Sequence, residues 1–248
     1  MRAVVVGASS GLGRSIGIGL AQRGAEVALL ARREDRLERA VADAGPTAFA
    51  VRCDVTDQDS CRSAIETAAS KLGGIDAVVY AAGVGPLARL TDADKDTWHY
   101  AFDTNVIGAN SITAAALPYL KESSGVVAYL SSISASQTPP WPGLGVYLTS
   151  KAAMDKLVEA WRAEHPSVGF TRVVVGDCAG GEGESMTEFP NTWDTELATE
   201  FGTQWFEKGF ITGTLLPVEE LVRVVDSIIT AGATTNIPTV IVTPRPAQ

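Results

Sequence analysis

Residues 3–24 read AVVVGASSGLGRSIGIGLAQRG. A β-branched run enters a loop with glycines at 7, 11 and 13, and an amphipathic stretch follows that ends at Gly24. The pattern predicts a buried strand over 3–7 and a helix over 13–24. Gly7 can make the tight turn off the strand, and Gly11 lets backbone approach a pyrophosphate at the helix N-terminus. Gly13 lets the helix pack close to the sheet. The spacing is GxxxGxG, not GxGxxG, so alone it also fits a plain loop. The remainder of the chain decides between the two.

The same alternation continues. Strands are predicted at 26–32, 47–55, 76–83, 125–132, 168–176 and 238–243, and helices at 34–45, 57–74, 146–165 and 217–232. Asp57 is placed to cap the helix that follows it, Pro166 stops the one before it, and Pro217 opens the last. A long helical region is expected over 92–121, broken near 102–105. Near-continuous apolar strands between helices predict an α/β fold, a doubly wound parallel sheet covered on both faces. No linker or repeat divides it, so residues 1–248 form one dinucleotide-binding domain. The irregular segment 177–216, rich in Gly, Glu and aromatics, is expected to be a lid over the site.

Bulk properties narrow the classes. A formal net charge of −9 over 248 residues argues against general affinity for nucleic acid or anionic membranes. No apolar run approaches the roughly 18 residues of a membrane span. The start, MRAVVVGASSG, is too short for a signal-peptide core, and a cytoplasmic location is expected. Cys53, Cys61 and Cys178 form no CxxC pair and do not cluster with His99 and His165, so idle thiols and no metal are expected.

At the end of the second strand the sequence is LLARR. Ala31 stands where NAD sites often carry an acid, and Arg32 and Arg33 follow. Guanidiniums suit a 2′-phosphate, which predicts NADP(H) in preference to NAD(H), with Arg32 as the principal contact and NAD(H) still possible. Asp54, after the third strand, is placed either to bond an adenine amino group or to form a turn. In YLTSK (147–151), Tyr147 and Lys151 lie i, i+4 on one helix face. A phenol has an unperturbed pKa of about 10, and a neighbouring ammonium lowers it. Lys151 could also bond the nicotinamide ribose.

Taken together, GASSGLG (7–13), CDV (53–55), AAG (81–83), NVIG (105–108), SS (131–132) and YLTSK (147–151) form an ordered set. By it the chain resembles the short-chain dehydrogenase/reductase family, in its compact form, over nearly the whole length. The resemblance implies a seven-stranded sheet of order 3-2-1-4-5-6-7, a nicotinamide cofactor, and hydride transfer between a carbonyl and an alcohol. It implies Tyr147 as general acid/base, Lys151 as its partner, Ser132 as holder of the substrate oxygen and Asn105 as support of a proton relay. The family's usual spacing counted back from Tyr147 selects Ser134 instead of Ser132, whereas strand register selects Ser132. Cofactor contacts carried over are Gly7, Ser9, Ser10, Gly11, Leu12, Gly13, Arg32, Asp54, Val55, Ala82, Gly83, Asn105, Tyr147 and Lys151.

Three departures stand out. The family's NNAG is YAAG here (80–83). Gly176-Asp177 replaces the usual Pro-Gly, leaving Ser185, Thr187 or backbone amides to hold the nicotinamide. Ser10 stands where many NADP-preferring members have a basic residue. Trp141, Phe189, Trp193, Trp205 and Phe206 either wall a pocket for an apolar or ring-containing substrate or pack the lid. Glu182, Glu184 and Glu188 weakly disfavour an anionic one. The resemblance also implies a homodimer or homotetramer, paired through helices near 105–121 and 150–164. A second reading, motivated by the altered nicotinamide segment, is a catalytically weak NADP(H) sensor or scaffold.

Overall fold

A computed structural model describes residues 1–181, 183–211 and 213–245. Glu182 and the last three residues of the predicted domain therefore lie outside the described residues. The chain runs β1 (Arg2–Val6), α1 (Gly11–Gln22), β2 (Glu26–Ala31), α2 (Glu34–Ala44), β3 (Ala48–Arg52), α3 (Gln58–Leu72) and β4 (Ala77–Tyr80). It continues through α4 (Lys95–Phe102), α5 (Gly108–Ser123), β5 (Val126–Ser132), α6 (Ile133–Ser136), α7 (Gly145–Glu164) and β6 (Gly169–Val175). The last elements are α8 (Thr195–Glu207), α9 (Val218–Ile229) and β7 (Thr239–Val242). All seven strands pair in parallel, in the order β3-β2-β1-β4-β5-β6-β7.

The strands are apolar on both faces because both faces are covered. On one, Ala3, Val5 and Leu29 meet Ile16 and Leu20 of α1, Leu37 of α2 and Leu221 and Val225 of α9. On the other, Val4, Val6 and Leu30 meet Ile65 of α3, Ile112 of α5 and Met154 and Val158 of α7. This doubly wound arrangement brings the C-terminal strand ends, where open α/β sheets bind ligands, to one edge of the molecule.

Three sequence expectations change. The third strand ends at Arg52, not at 55, because Asp54 Oδ1 accepts from Thr56 N (3.0 Å) and Thr56 Oγ1 (2.8 Å) and turns the chain into α3. Asp57 caps α3 as expected, accepting from Asp59 N and Ser60 N. The expected break near 102–105 is a π-helical turn, Asp103–Ile107, joining α4 to α5. It is anchored by buried Tyr80, whose hydroxyl donates to Thr104 O at 2.5 Å. The segment 177–216, expected to be an irregular lid, contains a regular element: Asp194 caps α8, accepting from Glu196 N (3.0 Å) and Leu197 N (2.9 Å). No described helix is long and apolar enough to cross a membrane.

Candidate active site

The turn after β1 works as its glycines predict. Gly7 has φ +86°, and a Cβ there would lie 2.6 Å from Ala82 N. A Cβ on Gly13 would strike Gly7 O, so only glycine lets α1 start this close to the strand end. Gly11, Ser9, Ser10 and Leu12 line the resulting cavity, of about 490 Å³. Asp54, Val55, Ala82 and Gly83 form its far wall, and Tyr147 and Lys151 line it too. Its size and backbone-rich glycine cradle fit a dinucleotide.

At the adenosine end, sequence reasoning singled out Arg32. That side chain lines the cavity and is exposed. Arg33 turns inward onto the glycine loop, its Nη2 donating to Ser9 Oγ (2.8 Å) and Ser10 Oγ (3.0 Å). Arg33 also pairs with Glu188 of the lid, and so does Arg36 from the first turn of α2. Partial burial works to raise the Glu188 carboxyl, but the two guanidiniums outweigh it and hold it below its usual range. Neither Arg36 nor the role of Glu188 was found from sequence. An arginine one turn beyond the LLARR pair was a visible signal; its lid partner, distant in the chain, was not. Asp54 lines the cavity while forming its turn. Burial works to raise its carboxyl, yet Thr56, Arg32 and Arg52 leave it lowered.

Elsewhere on the cavity wall, Tyr147 and Lys151 project from α7, and Ser132 ends β5. Lys151 is 5% exposed, and its Nζ donates to Leu130 O at 2.8 Å. Burial lowers its pKa to about 8, with Asp155, one turn further along α7, working against it. Sequence reasoning expected Lys151 to lower the Tyr147 phenol. Instead burial pushes that phenol up to about 12, and Ser132 is the group that opposes the rise. The Phe189 ring lies edge-on to Tyr147 at 5.0 Å, while Lys151 Nζ stands 6.0 Å from the Tyr147 ring centre and bonds backbone. Ser132 bears on Tyr147; Ser134 is buried behind it, with the two hydroxyls 2.7 Å apart.

Asn105 is fully buried in the π-helical turn, a distortion frequent at functional sites. It brackets the Val84 backbone, donating to Val84 O (2.8 Å) and accepting from Val84 N (2.9 Å). Its second amide hydrogen goes to Ser150 Oγ (2.8 Å), which donates to Tyr147 O (2.7 Å). Asn105 is thereby tied to both the loop after β4 and α7. Tyr80, at the first position of YAAG, anchors the same turn through Thr104 O.

The lid departs from expectation in two places. Ser185 is drawn away from the cavity by Arg14, whose Nη1 donates to its Oγ at 2.6 Å, so it is not placed to hold a nicotinamide. Thr187 does line the cavity, beside Gly11. Phe206 is 73% exposed and faces away. Trp205 packs instead on Trp141 (5.5 Å), Trp193 (5.8 Å) and Phe201 (6.4 Å), and its indole donates to Pro142 O (2.9 Å). Most of the aromatic set therefore secures the lid to the body. Phe189 is the member in contact with Tyr147.

The family model for short chain dehydrogenases matches residues 1–188. An uncharacterized oxidoreductase of Listeria monocytogenes is 31% identical over 211 residues, covering 83% of this chain and 79% of that protein. An 11-beta-hydroxysteroid dehydrogenase A of Sesamum indicum is 36% identical over 179 residues, covering 70% of this chain and 51% of that protein, about half its length. In fold, the chain superposes on an alcohol dehydrogenase of Thermococcus sibiricus, solved with 5-hydroxy-NADP. The TM-score is 0.81 at 24% identity, with 99% of this chain and 98% of the other covered. Sheet, site and similarity define a Rossmann-type oxidoreductase. The chain belongs to the short-chain dehydrogenase/reductase family, whose members act on CH–OH groups and the corresponding carbonyls.

Proposed function

We propose that this protein interconverts a carbonyl and an alcohol with NADP(H), on an apolar or ring-containing small molecule. The observation that carries the reading is a single cavity with the glycine cradle and Arg33 at one end and Tyr147 and Lys151 at the other. When bound, the cofactor supplies or accepts the hydride. The N-terminus of α1 receives the diphosphate, and Lys151 orients the nicotinamide ribose. Ser132 holds the substrate oxygen, and Tyr147 gives it a proton or takes one. With its phenol pushed up to about 12, Tyr147 stays protonated at neutral pH, which suits the acid role in carbonyl reduction. Asn105 keeps the loop after β4 and the catalytic helix in register. Phe189 excludes water from the phenol and presents an apolar wall to substrate. A carbonyl screen monitored by NADPH consumption tests this. Tight NADPH binding with no turnover of any carbonyl or alcohol favours the sensor reading instead.

The preference for NADP(H) is assigned to Arg32 and Arg33. A charge-assisted hydrogen bond contributes about 1.5–3 kcal/mol. Arg32→Ala is expected to weaken NADPH binding roughly tenfold or more and to leave NADH binding nearly unchanged, whereas Arg33→Ala, which also loses its bonds to Ser9 and Ser10 in the loop both cofactors use, is expected to weaken both, NADPH the more. Equal losses for both cofactors in a fluorescence titration would remove the assignment.

The protein is also proposed to be a homodimer or homotetramer. Among the residues α5 and α7 leave outward, Asn110, Ala114, Pro118, Ala152 and Ala160 are exposed and short. Such faces allow helices of two copies to approach closely. Light scattering at micromolar concentration is expected to show at least a dimer; a monomer would contradict the proposal.

A further inference from the structure

Glu188, in the segment proposed as a lid, lines the cavity together with Arg32 and Arg33. Its carboxylate pairs with Arg33 and with Arg36, and Ser10 Oγ lies 3.4 Å from its Oε2. The same Arg33 bonds Ser9 and Ser10 in the glycine loop. A carboxylate thus occupies the cationic corner where the adenosine 2′ position falls when a dinucleotide lies along the cavity. We propose that Glu188 is a specificity-determining residue, a tethered carboxylate that competes with the 2′-phosphate of NADP(H) for Arg33 and Arg36. This rests on the dinucleotide reading of the cavity given above.

The charges leave little room for both anions. A phosphate monoester carries about −1.5 to −2 at neutral pH, whereas Arg33 and Arg36 supply two positive charges, one of which Glu188 already neutralises, and Arg32 on the cavity wall is the one further guanidinium the proposed function assigns to the phosphate. Bringing the phosphate onto the same two arginines sets like charges within ångströms of each other, so one anion must leave. An unphosphorylated ribose imposes no such conflict. Its hydroxyls are donors, and a carboxylate is the acceptor that many NAD sites place at the end of the second strand, where this chain has Ala31. Glu188 held on the arginines therefore disfavours NADPH relative to NADH, and its departure favours NADPH.

The neighbouring contacts allow that departure without unfolding the lid. Glu184 is held separately by Arg39, and α8 is secured by the tryptophan cluster. The Glu188 side chain is itself 26% exposed. Its ion pairs are correspondingly screened, which places the expected effect at the low end of the range for charged hydrogen bonds.

Glu188→Gln keeps the shape and removes the charge. It is expected to raise the ratio of NADPH to NADH affinity about tenfold in fluorescence titrations of the full chain, with adenosine 2′,5′-bisphosphate gaining over 5′-AMP in competition. Glu184→Gln, which loosens the same lid through a residue outside the cavity, is expected to leave the ratio unchanged. Adding Arg33→Ala to Glu188→Gln should abolish the gain. A ratio within twofold of the parent in Glu188→Gln, or an equal rise in Glu184→Gln, overturns the competition while leaving the proposed function standing. A parent protein that binds neither dinucleotide overturns the cofactor reading and this inference with it.

Discussion

Tyr147→Phe is expected to lower turnover at least a hundredfold while the fold and NADPH binding survive. The substitution keeps the ring that packs edge-on against Phe189 at 5.0 Å. It removes the hydroxyl on which Ser132 bears and with it the group proposed to exchange a proton with the substrate oxygen. General acid–base catalysis contributes about 10²–10⁴-fold, which sets the scale. The pH dependence gives a second readout. With the phenol pushed up to about 12 by burial, the acid form dominates near neutrality. Carbonyl reduction therefore should not be limited by phenol ionisation until well above neutral pH, whereas alcohol oxidation, which needs the phenolate, should climb with pH. The Phe variant should lose that climb. Parental turnover by the Phe variant on a substrate found in a screen would remove Tyr147 from the reaction.

The sheet and much of the cavity's lining were legible in the sequence because local signals carry them. Apolar runs punctuated by Gly, Asp and Pro specify the strands and caps, and the glycine positions specify the turn off β1. The Tyr147–Lys151 spacing specifies a shared helix face. What escaped depended on contacts between distant segments. Arg32 and Arg33 are adjacent in LLARR, and nothing local says that Arg33 is the one turned onto Ser9 and Ser10. Ser185 looked available until Arg14 claimed it. The π-helical turn that holds Asn105 depends on the Tyr80 hydroxyl, 24 residues earlier in the chain than the carbonyl it meets. Helix α8 did have a signal, Asp194 as cap followed by Leu197, Ala198, Phe201 and Trp205 on one face, and Gly202 in its middle obscured it. The direction of the Tyr147 shift differs from expectation for the same reason: the ammonium is near in sequence, but burial raises the phenol, and burial is set by segments distant in the chain.

Lys151→Met should separate catalysis from stability. Turnover is expected to fall at least a hundredfold, and NADPH affinity should fall as well, because Lys151 is assigned the nicotinamide ribose and with it the position of the hydride donor. The stability change should run the other way. Burial takes the Lys151 pKa from 10.5 down to about 8, so the folded state loses its proton before the unfolded chain does. Between those values the unfolded chain binds more protons and stability rises with pH; below about 8 the full cost of burying the ammonium is present. A shift of this size corresponds to about 3 kcal/mol. Methionine removes that cost but leaves Leu130 O without its 2.8 Å donor, which takes back about 1–2 kcal/mol. Asp155 retains Arg172 at 3.9 Å, although its carboxyl, already raised by burial, loses a neighbouring positive charge. The variant is therefore expected to be about 1–2 kcal/mol more stable than the parent at pH 7, with the advantage shrinking as pH passes from 8 to 10.5. Denaturant titrations at pH 7 and pH 10 measure it. A variant less stable at pH 7, or an advantage independent of pH, would mean that the ammonium is accommodated without penalty and that its burial does not set its protonation. Tyr147→Phe, which leaves the ammonium in place, should show no such pH-dependent gain across the same window.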